Sequence, residues 1–256
     1  MSEPKLPKLT EVSYTMLHTF FSCRYMYWLR YVQRISLAET SASVYGTAVH
    51  RTIKIGYENH LGKDELTKIF KREWISLASA RDVVFNSETD YMGRLTNGQE
   101  MVAEYYDKYM KKEAAPKAIE LFTSRRDGIL LGKYPVVAVF DQISADDAII
   151  DYKTGVKPSK MELDLDLQFT LYSYVYRQIY GKPESGLILR HLGTMKDLPT
   201  TREEKDFEIL LGEVGKVDSE ISSGVFTRNL GRDCANCYFL EHCLGKERKI
   251  NRWNSR

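Results

Sequence analysis

Ala148-Ile149-Ile150-Asp151-Tyr152-Lys153 is an apolar run that ends on an acid and, two residues further, a lysine. A companion run lies just upstream, where Val136-Val137-Ala138-Val139-Phe140 closes on Asp141. Between the acids, Ser144-Ala145-Asp146-Asp147 has the composition of a turn. Two such runs around a turn predict an antiparallel hairpin with an acid on each strand. Side chains alternate along a strand, so Lys153 shares a face with Asp151. Two carboxylates brought together this way make a hard oxygen site for Mg²⁺ or Mn²⁺. A lysine beside them can hold and acidify an attacking water. The pattern suits hydrolysis of a phosphodiester. A lone Asp-x-Lys after an apolar run is more often a strand emerging into solvent. Asp141 at hairpin distance, and the sharp stop at Thr154-Gly155, set this one apart.

Outward from the hairpin, strands are predicted from about Ile119 and at Ile129-Leu130-Leu131. Gly155 to Leu165, with Pro158, reads as a loop. Asp166 to Tyr180 reads as a long helix stopped by Gly181-Lys182-Pro183. Leu187 to Leu192 is a further strand and Glu203 to Ser222 a further helix. On the N-terminal side, Ser13 caps a helix to about Val32, with Leu17, Phe21, Trp28 and Val32 at helical spacing. Gly46-Thr47 precede a helix through His50 to about Glu58, and Asp64 to Ala80 and Asn97 to Lys112 predict two more. Val83 to Leu95 shows no clear period. The expectation is an α/β fold: a mixed central sheet flanked by helices, with a helical N-terminal region. It divides into a helical part over 1–115, a core over 116–200, and a C-terminal helix with a cysteine loop over 201–256, integrated as one domain.

The 256 residues carry a net charge of only +2, so bulk electrostatics does not by itself argue for nucleic acid. Basic residues are uneven, however. Arg24, Arg30 and Arg34 gather near the first cysteine, and the tail from Lys246 to Arg256 is a candidate phosphate-contacting strip. Tyr105, Tyr106 and Tyr109 beside Lys108, Lys111 and Lys112 pose a choice between helix packing and a stacking path for single-stranded DNA. No apolar run approaches bilayer length and Met1 to Leu9 holds no apolar signal core, which predicts a cytoplasmic protein without a membrane span. No phosphate-cradling Gly-rich loop with lysine is present, so any motor is expected on another chain.

Gln168 and Tyr172 lie four apart on the predicted long helix and share a face. They are candidates for binding a phosphate or base near the acids. His50 is a candidate third metal ligand, of a type that suits Mn²⁺ as well as Mg²⁺. The cysteines form a second signal: Cys23 alone, then Cys234, Cys237 and Cys243 spaced C-x2-C-x5-C. In a reducing compartment a compact trio reads as metal binding. Four thiolates fit either zinc or an iron–sulfur cluster, although zinc sites usually draw on two close pairs. Such a centre would staple the N-terminal helix to the C-terminal loop and contribute to folding.

In order, Ser13-x-Thr15 with Cys23, Gly46-x-x-x-His50, Asp141, Asp151-x-Lys153-Thr154-Gly155, Gln168-x-x-x-Tyr172 and the cysteine trio resemble the RecB-type branch of the PD-(D/E)XK nuclease superfamily. More narrowly the chain is similar to its iron–sulfur members: the CRISPR-associated adaptation nuclease, the AddB nuclease domain and related single-strand exonucleases. The resemblance spans Ser13 to Cys243. It implies a restriction-endonuclease-like core and a 4Fe–4S cluster on Cys23, Cys234, Cys237 and Cys243. It also implies Mg²⁺ or Mn²⁺ held by His50, Asp141, Asp151 and the Tyr152 carbonyl, with Lys153 as the catalytic lysine. Glu120 falls loosely where some relatives place another acid. Two departures stand out: Arg24 where many relatives have proline, and Ala138 where many have glycine. The implied activity is a DNA nuclease, chiefly an exonuclease on single strands or duplex ends. Its setting would be recombination and repair, phage DNA processing or CRISPR adaptation, with a helicase or integrase as partner. The alternative is a catalytically silent DNA-binding subunit that carries an iron–sulfur or zinc centre.

Overall fold

The computed structural model describes residues 6–37, 39–80, 83–232, 234 and 237–245. The basic tail from Lys246 to Arg256 lies outside them. At the centre is a five-stranded sheet in the order β3-β6-β7-β8-β9. These strands are Ala118–Thr123, Ala138–Ile143, Ala148–Lys153, Gly186–His191 and Lys196–Thr200. Neighbours are antiparallel except β7 and β8, which run parallel. A parallel step needs a crossover, and the long helix α7 (Leu167–Tyr180) supplies it. Asp166 caps α7 and Gly181, at φ 64°, ends it.

Side chains alternate between the faces of the central strands and both sets are buried, so each face carries its own core. Ile149, Leu187 and Leu189 pack with α7, with α8 (Glu204–Ser223) and with the N-terminal helix α1 (Tyr14–Ser22). Ile150 and Tyr152 pack on the other face against α3 (Ser41–Glu58), α4 (Lys63–Ala80) and α5 (Glu88–Tyr105). These helices cross closely: a Cβ added at Gly98 of α5 would stand 1.9 Å from the Phe70 ring of α4. Small two-stranded pairings sit at the periphery, β1 (Glu39–Thr40) with β2 (Val83–Val84) and β4 (Leu130–Leu131) with β5 (Tyr134–Pro135).

Several expectations are revised. The continuous helix to Val32 is broken at Cys23, whose backbone is extended (φ −164°, ψ 119°). The chain resumes as α2 (Arg24–Tyr27) and a π-helical turn over Trp28–Val32. The second helix begins earlier, at Ser41, because Thr40 caps it through the Ser43 amide. Glu88 to Leu95, read without a period, opens α5 behind a Ser87 cap. The loop after the hairpin contains a short helix, α6 (Lys160–Asp164). Strand β9 carries Pro199 at the sheet edge, where a missing donor is tolerated, and polar residues hid it from the pattern. Tyr105 and Tyr109 are buried, so they pack the helix and offer no base-stacking face. Among the described residues no helix is long and apolar enough to cross a membrane.

Candidate active site

The β6–β7 ladder pairs Ile143 with Ile149 and Gln142 with Ile150. One step further the register sets Asp141 opposite Asp151. There the Asp141 carboxylate replaces a backbone acceptor: the Tyr152 amide donates to its Oδ2 at 2.8 Å. The β3 side is deformed at the same level. Glu120, flanked by the pairs Ile119–Gln142 and Leu121–Phe140, has φ 46°. A non-glycine residue in that region stores strain, and such sites cluster around function. Alternation breaks here. Phe140 joins the α7-side core, yet Gln142 two residues on accepts from the Tyr105 and Tyr152 hydroxyls on the other face. Asp141 is thereby left at the seam, within reach of α3.

His50, nine residues into that helix, sets Nδ1 3.2 Å from Asp141 Oδ1. Its ring stands edge-on to Tyr152, with centroids 5.7 Å apart. Helix α3 passes close to the end of β7: a Cβ at Gly46 would lie 3.5 Å from Thr154 Oγ1. One turn beyond His50, Lys54 meets Glu120 at 3.2 Å.

On the α7 side a closed triangle forms. Lys153 Nζ lies 2.9 Å from Asp151 Oδ2 and donates to Gln168 Oε1 at 2.8 Å. Gln168 Nε2 donates to Asp151 Oδ1 at 2.9 Å and to the Tyr172 hydroxyl at 2.7 Å. The Asp166 carboxylate accepts the Gln168 amide and fixes the start of α7. The Lys153 contact to Oδ2 is an ion pair off the hydrogen-bond axis, and that buried oxygen accepts no hydrogen bond.

Charge is distributed accordingly. Burial pushes the Asp151 carboxyl up to about 7, with the Lys153 charge only partly offsetting it and Asp141 adding to it. Burial opposes charge on Lys153, but Asp151 outweighs it and the ammonium holds its proton firmly. Asp141 is also penalised by burial, yet His50 beside it holds the carboxyl below its usual range. His50 in turn overcomes its burial through Asp141 and is raised. The donor set is two carboxylates, one with a buried oxygen that accepts no hydrogen bond and meets only the Lys153 charge, and an imidazole. Those are the hard ligands that fit Mg²⁺ or Mn²⁺. As the chain alone arranges them, each ligand faces its own protein partner. Among the described residues no three His, Cys, Asp or Glu side chains stand close enough to hold one ion directly.

Three neighbours were not legible as site residues. Tyr14, in the first turn of α1, is half-buried; burial pushes its hydroxyl up to about 12, with Asp166 and Asp151 adding to the rise and Lys153 opposing it. His191, paired with Lys153 across the parallel step, sets its ring nitrogens 2.8 Å from the Gly155 carbonyl and from Thr194 Oγ1. Arg202 is buried and donates to the carbonyls of Leu163 and Asp166. A strand-end histidine or a lone arginine carries no motif, so only the tertiary structure exposes them.

The cysteines lie elsewhere. Cys23, Cys234, Cys237 and Cys243 are all free thiols and line one cavity of about 410 Å³, together with Met26 and Leu29. The Asn229 amide points at Cys23 Sγ (3.5 Å) and the Gly231 amide at Cys234 Sγ (3.4 Å). Burial raises the Cys237 thiol.

A search of curated proteins finds no match to the chain. The sequence profile of the PD-(D/E)XK nuclease superfamily, by contrast, matches residues 11–244, from just before α1 through α9 (Leu240–Leu244). With the mixed sheet and the hairpin of acids and lysine inside that span, the chain belongs to the PD-(D/E)XK nuclease superfamily.

Proposed function

We propose that the chain is a Mg²⁺- or Mn²⁺-dependent deoxyribonuclease, acting chiefly as an exonuclease on single-stranded DNA or duplex ends. The observation that carries this reading is the Lys153–Asp151–Gln168 triangle set across one hairpin from the His50–Asp141 pair. His50, Asp141, Asp151 and the Tyr152 carbonyl would hold the cation. A bound divalent ion supplies Lewis acidity toward a phosphate oxygen and a nucleophile at neutral pH.

The rest falls to the chain. Lys153 is aimed by its hydrogen bond to Gln168 Oε1 and its ion pair with Asp151 and keeps its charge, so its ammonium can hold the attacking water and stabilise charge developing on the phosphoryl oxygens. As water adds to phosphorus and the P–O ester bond breaks, one product ends in phosphate and the other in hydroxyl. Gln168 fixes both Lys153 and Asp151, and Tyr172 fixes Gln168. The Lys153→Ala variant tests this on end-labelled single-stranded DNA with Mn²⁺. Cleavage should fall by about 10²–10³-fold while DNA binding persists. Unchanged metal-dependent cleavage would remove Lys153 from the chemistry. A wild-type chain that binds DNA without cutting it would favour the silent-subunit reading.

For the cysteines we propose a 4Fe–4S cluster. Four thiols around a common cavity, with backbone amides directed at two sulfurs, support a cluster better than a single zinc ion, which would draw the thiolates tightly together. This is also what supports assignment to the RecB-type iron–sulfur branch. Anaerobically purified protein should be brown with broad visible absorbance; colourless protein with one equivalent of zinc would replace the cluster by zinc.

A further inference from the structure

The connection between Lys153 and Gln168 holds three large apolar side chains in water: Val156 is 95% exposed, Met161 73% and Leu165 69%. Its two ends are joined at the site by the Lys153–Gln168 bond, so the segment starts and finishes beside whatever binds there. It is also rigid. His191 is bonded to the Gly155 carbonyl, Ser159 and Glu162 form a capping box, and Leu163 is fully buried. Arg202 holds the carbonyls of Leu163 and Asp166. Met161 lies in α6 and Leu165, four positions on, is its C-cap residue with α-region backbone, so the two follow one helical step. The acids of this segment are turned to its own contacts, Glu162 to the Ser159 amide and Asp164 to Thr200 and Lys160. The acids are thus tied to the segment's own contacts while three apolar side chains are held outward, unlike an ordinary surface connection. Exposed Lys157 and Lys160 stand next to Val156 and Met161 in sequence, so the segment offers cations to phosphates and apolar side chains to neutral bases. Leu, Met and similar side chains unstack base steps when pushed between them.

We propose that Val156, Met161 and Leu165 form a wedge that parts the terminal base pairs of a DNA duplex, so that one strand enters the site. The inference rests on the nuclease reading above and names the duplex end as a substrate. The test is a triple variant, Val156→Ser, Met161→Ser and Leu165→Ser, compared with wild type in Mn²⁺ on three DNAs: a blunt duplex, the same labelled strand alone, and a duplex with a forked, unpaired end. All three positions are exposed, so the thermal midpoint should not move. Cleavage of the blunt duplex should fall about tenfold or more, with less than about a twofold change on the other two. Equal loss on all three would overturn the proposal. So would no loss on any, which would hand the segment to a protein partner, or a wild type that cuts single strands but never a blunt end. A wild type that cuts none of the three marks failure of the nuclease reading itself, and the wedge falls with it.

Discussion

The carboxylate site and the cysteine cavity both gather ligand-type side chains from distant parts of the sequence, but the chain completes only the first by itself. Around Asp141 and Asp151, protein groups supply nearly every partner: His50, Lys153, Gln168 and the Tyr152 amide. Around Cys23, Cys234, Cys237 and Cys243 the sulfurs face a shared cavity and meet long backbone amide contacts and the Arg228 side chain, with no bond from one thiol to another. A site closed by its own hydrogen bonds is preorganised, so its ion adds chemistry more than structure. A site closed across a cavity between distant chain segments depends on what fills it, so its ligand adds folding free energy.

The largest expected effects come from opening each site in turn. Asp151→Asn replaces a buried carboxyl, already pushed up to about 7, by a neutral amide of the same shape. Cleavage should fall by about 10²–10³-fold while the thermal midpoint stays within a few degrees. Cys237→Ser should do the reverse in the first instance. On the proposed cluster, visible absorbance should be lost, the midpoint should drop by about 5 °C or more, and the loss of activity should follow the loss of folded protein. Differential scanning fluorimetry beside a nuclease assay separates the two. Equal destabilisation by both variants would erase the distinction.

The comparison sharpens with pH. The folded chain keeps the Asp151 proton up to about 7, whereas an ordinary aspartate releases it near 3.8. As pH rises between those values the unfolded state binds fewer protons, so this group lowers stability progressively, and the effect is complete above about 7. His50 acts in the same direction: its raised pKa gives stability at low pH that is lost as pH climbs through the folded value. Divalent cations need both groups deprotonated and therefore compete with protons. Without Mn²⁺ the midpoint should fall between about pH 5 and pH 8, and saturating Mn²⁺ should flatten or reverse that slope. Asp151→Asn should remove most of the slope and most of the Mn²⁺ response. A Mn²⁺ shift that is independent of pH would place the ion elsewhere.

Most of the carboxylate site was legible because local periodicity dictates it. A strand–turn–strand pattern sets Asp141 against Asp151, alternation sets Lys153 beside Asp151, and a four-residue helical step sets Gln168 by Tyr172. What stayed hidden depends on backbone irregularity or on long-range packing. The Glu120 conformation, which breaks alternation and swings Asp141 toward His50, has no sequence signature, since the residue is neither glycine nor asparagine. The helix break at Cys23 was hidden by apolar spacing that continues across it. Tyr105 and Tyr109 could be read as a stacking stripe until the structure buried them beneath the sheet.

The smallest effect probes what holds the cysteine region before any ligand acts. Arg24, immediately after Cys23, reaches across to α8 and grips Glu220 through Nε (2.8 Å) and Nη2 (3.2 Å), while its guanidinium lies over the Phe20 ring. The contact spans nearly two hundred residues of sequence and ties the start of α2 to the helix that leads into the cysteine loop. Both side chains are partly exposed, so the pair is worth only about 0.5–1 kcal/mol. Arg24→Ala should therefore shift the thermal midpoint of intact protein by a degree or two and leave cleavage unchanged. Its effect should be larger in a Cys237→Ser background, where no ligand joins the two ends. Strict additivity of the two substitutions would mean that the ion pair and the thiols stabilise separate parts of the molecule. A deficit beyond additivity would show that they close the same seam, with the protein contact acting first and the cluster completing it.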